Sequence, residues 1–123
     1  ELLAQKIEAT GANVWLVNTG WIGGGAKEGK RISLKHTRAI IDAIHDGSLA
    51  NSTYEDLAVF DLKIPTNCPL VPSEVLNPSR FWENEAKYWK TAHSLGQLFQ
   101  ENFQQFEVEG RMSLAQYGPK LQA

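Results

Sequence analysis

The residues best able to do chemistry lie in TGWIGGGAKEGKR, Thr19 to Arg31. Gly24, four residues, Gly29 and Lys30 follow the spacing of a phosphate-binding P-loop. In that loop glycine N–H groups curl around phosphate oxygens, the lysine neutralises the β and γ phosphates, and a following Ser or Thr hydroxyl ligates Mg²⁺. Here Arg31 stands where the hydroxyl belongs. A guanidinium has no oxygen to give a metal, and its permanent charge repels one. The pattern therefore fails at the position that carries the metal chemistry. Two readings stay open, a nucleotide or phosphate contact and a surface loop, because one glycine-rich loop is weak evidence.

The other reactive residues do not assemble by order and spacing. His36, His45 and His93 show no metal-ligand spacing. His36 and His45 are about two and a half helical turns apart and cannot share a face, and His93 lies beside an aromatic stripe where packing is its expected role. Cys68, the one cysteine, sits between Asn67 and Pro69 with no adjacent base and reads as structural. A single cysteine makes no internal disulfide and suits a reducing, cytoplasmic compartment. The 123 residues, 42% hydrophobic and 21% charged with net charge −2, fit one ordinary globular domain. Such a balance sets up no field for nucleic acid or a membrane surface, and no apolar run approaches the roughly 20 residues that span a bilayer.

The elements that must position the loop read as a mixed α/β lobe. Upstream, Val14, Trp15, Leu16 and Val17 form an unbroken apolar run, the pattern of a strand buried on both faces. Downstream, Thr37, Ile40, Ile41 and Ile44 recur at helical spacing, with Ser33 as N-cap and Gly47 as the stop. Strand, glycine loop and helix in that order deliver backbone donors to an anion. Farther on, Ala58, Phe60, Leu62 and Ile64 alternate with Val59, Asp61 and Lys63, predicting a half-buried strand that ends at Pro65. Pro65, Pro69, Pro72 and Pro78 then predict a rigid connector without regular structure. From about Glu83, Ala86, Trp89, Ala92, Leu95, Phe99, Phe103 and Phe106 predict a long amphipathic helix. A short helical turn around Met112 to Tyr117 and a Gly-Pro stop close the sequence.

The start carries its own signal. Leu2, Leu3 and Ile7 make a short helical stripe, without a cap, signal peptide or initiator Met, that feeds the two-faced strand through a Thr-Gly-Ala turn. A strand needing neighbours on both sides belongs in the middle of a domain, so the chain is expected to be a piece of something longer.

VWLVNTGWIGG, then GKRISLKHTRAII, VPSEVLNP and the closing LFQENF resemble the C-terminal end of ATP-dependent phosphoenolpyruvate carboxykinases. The likeness runs from Leu2 to Leu121 and is most specific over Asn18 to Trp21 and Gly29 to Arg38. It implies an α/β fold, the C-terminal part of that family's nucleotide-binding domain, with an incomplete sheet and flanking helices. The whole chain, 1–123, would be one C-terminal lobe, with the N-terminal domain and the P-loop region absent. The family is a cytoplasmic, gluconeogenic lyase that converts oxaloacetate and ATP to phosphoenolpyruvate, CO₂ and ADP, with Mg²⁺ at the nucleotide and Mn²⁺ at the substrate. Electrostatic and positional catalysis suit that chemistry.

By the same resemblance the true P-loop, the metal ligands and the oxaloacetate-binding arginine lie upstream, so no catalytic or metal residue is expected here. The residues carried over are ATP-binding: Arg31 and Ile32 beside adenine and ribose, Thr37 close by, with Gly29 and Lys30 in support. Arg31 can lay its guanidinium on the adenine face, a contact of roughly 0.5 to 2 kcal/mol. Ile32 can offer backbone groups and apolar contact, and the Thr37 hydroxyl can reach the ribose or serve its own helix backbone. The charged GAKEG, with Lys27 and Glu28, departs from the family and reads as a surface flap. Two other readings compete: a stand-alone nucleotide-binding module, and a structural module that self-associates through orphaned apolar faces. Neither nucleic acid nor membrane is an expected partner.

Overall fold

The computed structural model describes residues 2–107 and 114–121. Among the described residues five α-helices, two 3₁₀ turns and two small antiparallel sheets give the mixed α/β class with an incomplete sheet. The first helix, α1 (Leu2–Thr10), ends where Gly11 turns left-handed at φ 63° and returns its N–H to the Ile7 carbonyl at 2.8 Å. No residue of α1 is buried; Leu2 and Leu3 of its apolar stripe are exposed and Ile7 is half-buried.

The expected two-faced strand at Val14 to Val17 does not form. Residues 12–19 are without regular structure, and Val14 and Leu16 are 65% and 87% exposed. A strand exists only through a ladder partner, and none is present among the described residues. Trp15 alone of the four packs against a core cluster.

The order strand, glycine loop, helix is also replaced. The loop joins two short strands, β1 (Trp21–Ile22) and β2 (Lys30–Arg31), which pair antiparallel as Trp21 with Arg31 and Ile22 with Lys30. Only after this hairpin does α2 (Leu34–His45) begin. Ser33 caps it as expected, its Oγ accepting from the His36 N–H at 3.2 Å, and Gly47 beyond its end has φ 82°. The packed face is rotated from the predicted stripe: Ala39 and Ala43 are buried with Ile40 and Ile44 beside them, while Ile41 is exposed. Small residues win the contact line because they let the helix approach Leu49, Cys68 and Val71 closely.

The predicted strand through Ala58 to Ile64 is instead the turn and second arm of a hairpin. Strands β3 (Tyr54–Leu57) and β4 (Leu62–Pro65) pair over four residues each. Val59 and Asp61 adopt φ 71° and 53°, which no continuous strand allows. The end at Pro65 is as expected.

The proline-rich connector holds regular structure after all, in α3 (Ser73–Leu76) and α4 (Pro78–Phe81). Pro72 is the N-cap of α3, and Pro78 occupies the first turn of α4, where a missing N–H costs nothing. Helix α5 (Glu85–Phe103) follows, capped by Asn84. Its buried line is Tyr88, Ala92 and Gly96; of the predicted stripe Ala92 is buried and Trp89 packs against the second core cluster, while Ala86, Leu95 and Phe99 are exposed. Gly96 explains the rotation. A Cβ there would sit 2.8 Å from Leu121 Cδ2 and 3.0 Å from Val59 Cγ1, so only glycine admits the tail and the second hairpin at that level. The tail is tied down by Lys120 N–H to Val59 O at 2.6 Å and Gln100 Nε2 to Pro119 O at 2.8 Å. Of the predicted turn at Met112 to Tyr117, Met112 and Ser113 lie outside the described residues; Ala115–Tyr117 forms a 3₁₀ turn that ends at Gly118.

The core is divided in two. One cluster joins Ala39, Ala43, Leu49, Cys68 and Val71, with Trp15, Val75 and Leu76 against it; the other joins Val59, Tyr88 and Ala92, with Trp82, Trp89 and Leu121.

Candidate functional site at the first hairpin

The hairpin loop 23–29 closes on itself. Gly29 N–H donates to Gly25 O at 2.7 Å and Glu28 N–H to the same carbonyl at 3.1 Å. A Cβ on Gly29 would lie 2.6 Å from Gly24 O and 2.8 Å from Ile22 O, so this glycine is required by backbone proximity. Gly23, at φ 75°, is held close to Phe81, whose ring carbons would lie 3.1 and 3.3 Å from a Cβ. Two of the loop's donors, the Glu28 and Gly29 N–H groups, are thus spent inside the loop, and the chain runs back along β2 instead of into a helix. Both facts separate it from a phosphate cradle, which aims its N–H groups at the ligand.

Successive side chains on a strand alternate between faces, and β2 puts its two on different business. Lys30 joins Ile22, Gly23, Glu28 and Gly29 along one wall of a cleft of about 430 Å³; Phe81, Trp82, Glu83, Asn84 and Lys87 form the other. A Lys87 Nζ to Glu28 Oε2 contact of 2.7 Å ties the loop to α5. Both partners are more than half exposed, so this link is weak and screened by salt.

Arg31 lies outside that cleft. Its guanidinium carbon is 6.0 Å from the centroid of the Trp21 ring, its cross-strand neighbour. Both residues are exposed. Ile32 continues the hairpin, its N–H donating to Gly20 O at 3.1 Å. Thr37 sits one turn into α2, where its N–H and its Oγ1–H donate to Ser33 O at 3.0 and 3.2 Å. Arg31, Ile32 and Thr37 therefore share the joint between hairpin and helix, while Gly29 and Lys30 belong to the cleft. The structure adds Trp21, which stood in the TGW motif without a role, and the Glu28 to Lys87 tie. No local pattern signals a pair 59 residues apart.

Cys68 is buried, and burial followed by the Asp46 charge raises its thiol above the ordinary range. It is an inert packing group. Among the described residues no three His, Cys, Asp or Glu side chains converge as a metal needs, and the Mg²⁺ and Mn²⁺ that the resemblance implies find no ligand set here. Among the same residues no helix is long and apolar enough to cross a membrane.

Comparison with known proteins places this architecture. The phosphoenolpyruvate carboxykinase family model matches residues 1–74. The phosphoenolpyruvate carboxykinase (ATP) of Neurospora crassa is 51% identical over 97% of this chain and 20% of its own length. The Salinibacter ruber phosphoenolpyruvate carboxykinase (ATP) 2 is 46% identical over 100% of the chain and 23% of its own length. That of Candida glabrata is 48% identical over 98% and 22%. The chain belongs to the phosphoenolpyruvate carboxykinase family, and it spans about a fifth of the length of these relatives.

Proposed function

We propose that the chain is the C-terminal, adenine-contacting lobe of an ATP-dependent phosphoenolpyruvate carboxykinase, a cytoplasmic carboxy-lyase of gluconeogenesis that takes oxaloacetate and ATP with divalent metals. Residues 1–123 act as one lobe whose catalytic and metal-binding groups come from elsewhere in such an enzyme. The observation that carries this reading is the joint at Arg31, Ile32 and Thr37, in a chain nearly half identical to ATP-dependent carboxykinases along its whole length.

The chemistry of the joint suits a nucleoside. The Arg31 guanidinium lies over the Trp21 ring and the residue is exposed, so an adenine ring can reach and stack on it. The Ile32 N–H is engaged, which leaves its carbonyl as the group to accept from an adenine amino group. The Thr37 hydroxyl uses its proton on Ser33 O and keeps lone pairs to accept from a ribose hydroxyl. Gly29 sets the hairpin's closure, and Lys30 supplies a cation at the neighbouring cleft.

The test is kinetic, in the Neurospora crassa relative with its matching stretch replaced by this chain. Arg31→Ala is expected to raise the KM for ATP by roughly two- to thirty-fold, the range of a lost cation–π contact, with the KM for oxaloacetate unchanged. Equal effects on both substrates, or none, would reject the assignment. The isolated chain is expected to form no phosphoenolpyruvate from ATP and oxaloacetate, and detectable product would overturn the lobe reading.

A further inference from the structure

We propose that Trp21 is a positioning residue for the nucleotide: its indole holds the Arg31 guanidinium in place for the adenine ring and so tightens the binding of ATP. The inference rests on the nucleotide reading of the joint and adds to it a residue that acts through Arg31.

The backbone around Trp21 is fixed on both sides. Asn18 Oδ1 accepts from the Gly20 N–H at 2.9 Å, an Asx turn that sets the entry of the chain into β1. On one side of the Trp21 to Arg31 pair the Ile32 N–H donates to Gly20 O at 3.1 Å; on the other Ile22 pairs with Lys30. Directly opposed residues of an antiparallel pair project from the same face, with Cβ atoms about 5 Å apart. The register therefore hands Arg31 one directly opposed side chain, and that is the ring 6.0 Å from its guanidinium carbon.

Trp21 shows no competing task. It is 49% exposed, belongs to neither core cluster and pairs with no other aromatic ring among the described residues. Arg31 has no carboxylate to hold it, since among the same residues no ion pair includes its guanidinium. A carboxylate in that role would bring negative charge beside a polyphosphate and occupy N–H donors. An indole face orders the planar guanidinium and leaves its charge and donors free. An exposed arginine without such a contact samples many rotamers, and ordering it on binding costs affinity.

A double-substitution cycle tests this in the Neurospora crassa relative carrying this chain in place of its matching stretch. Trp21→Leu keeps apolar bulk and removes the ring. It is expected to raise the KM for ATP roughly two- to five-fold, the scale of an exposed cation–π contact, with the KM for oxaloacetate unchanged. Trp21→Phe keeps a ring face and should recover most of that loss. In the Arg31→Ala background Trp21→Leu should have no further effect, because the guanidinium that it positions is gone. An effect of equal size with and without Arg31 overturns the proposal. So does an unchanged KM for ATP, or one that moves together with the KM for oxaloacetate, the mark of a merely structural tryptophan. Where Trp21→Leu fails to fold, Trp21→Thr, which suits an exposed strand, carries the same cycle with the same expected and overturning results. Failure of both to fold overturns the proposal, because the ring is then part of the framework. An Arg31→Ala effect on ATP with an additive Trp21→Leu rejects the positioning role alone; Arg31→Ala without effect on ATP rejects the nucleotide reading and the positioning role with it.

Discussion

The chain contains two hairpins built to different standards. The second, Tyr54 to Pro65, has a four-residue ladder and is bolted to its surroundings: Glu55 accepts from Asn77 Nδ2 at 2.9 Å and from Arg80 Nη2 at 2.8 Å, and the Tyr54 hydroxyl donates to Leu49 O at 2.5 Å. The first, Trp21 to Arg31, has a two-residue ladder, a glycine-rich loop and one exposed ion pair to α5. The strongly held hairpin carries structure, and the lightly held one carries the candidate ligand contacts. Binding elements are drawn from the weakly stabilised end of a fold because they must yield to a ligand.

The sharpest way to break the contrast is at the bolt. Asn77 is buried; its Oδ1 accepts from Ser79 N–H and Oγ–H while its Nδ2 holds Glu55. Asn77→Ala removes a helix cap, the acceptor of the Ser79 hydroxyl and one of the two donors to Glu55, which keeps Arg80, and should cost about 1 to 3 kcal/mol in urea unfolding. A change under about 0.5 kcal/mol, the scale of an ordinary surface substitution, would show that the second hairpin is not anchored there. Gly29→Ala acts on the other side. The steric conflict with Gly24 O and Ile22 O forces the first loop open, so the cross-strand Trp21 to Arg31 contacts in NMR spectra should vanish while the urea midpoint moves less than for Asn77→Ala. A large global loss would make the two hairpins equal partners in stability.

Smaller changes sharpen the comparison. Ser33→Ala removes the cap of α2 at the foot of the site and should cost about 1 kcal/mol; an unchanged midpoint would mean that the hairpin already fixes the helix start. Lys87→Ala should cost no more than about 0.5 kcal/mol, and that difference should disappear in high salt. A cost that persists in high salt would show that the cleft wall depends on the packing of the lysine stem.

Much of the molecule was legible before any coordinates. Helices over 2–10, 34–45 and 85–103 follow from periodicity, and Ser33 and Gly47 bracket the second of them as their chemistry requires. The helix faces were less legible. Ala39, Ala43 and Gly96 displaced larger apolar residues from the contact lines because close approach, not hydrophobicity alone, selected them. The apolar run at Val14 to Val17 carried a strand's signature without the partner that would make it one.

The sequence by itself determined the family, the Ser33-capped helix and the types of residue at the joint, because these are set by local sterics and by residues adjacent in the chain. The tertiary structure alone decided that the loop turns back as a hairpin, that Lys30 and Arg31 serve opposite sides, and that Glu28 meets Lys87 across 59 positions. Pairing and packing depend on which surfaces are brought together, and a one-dimensional pattern does not contain that information.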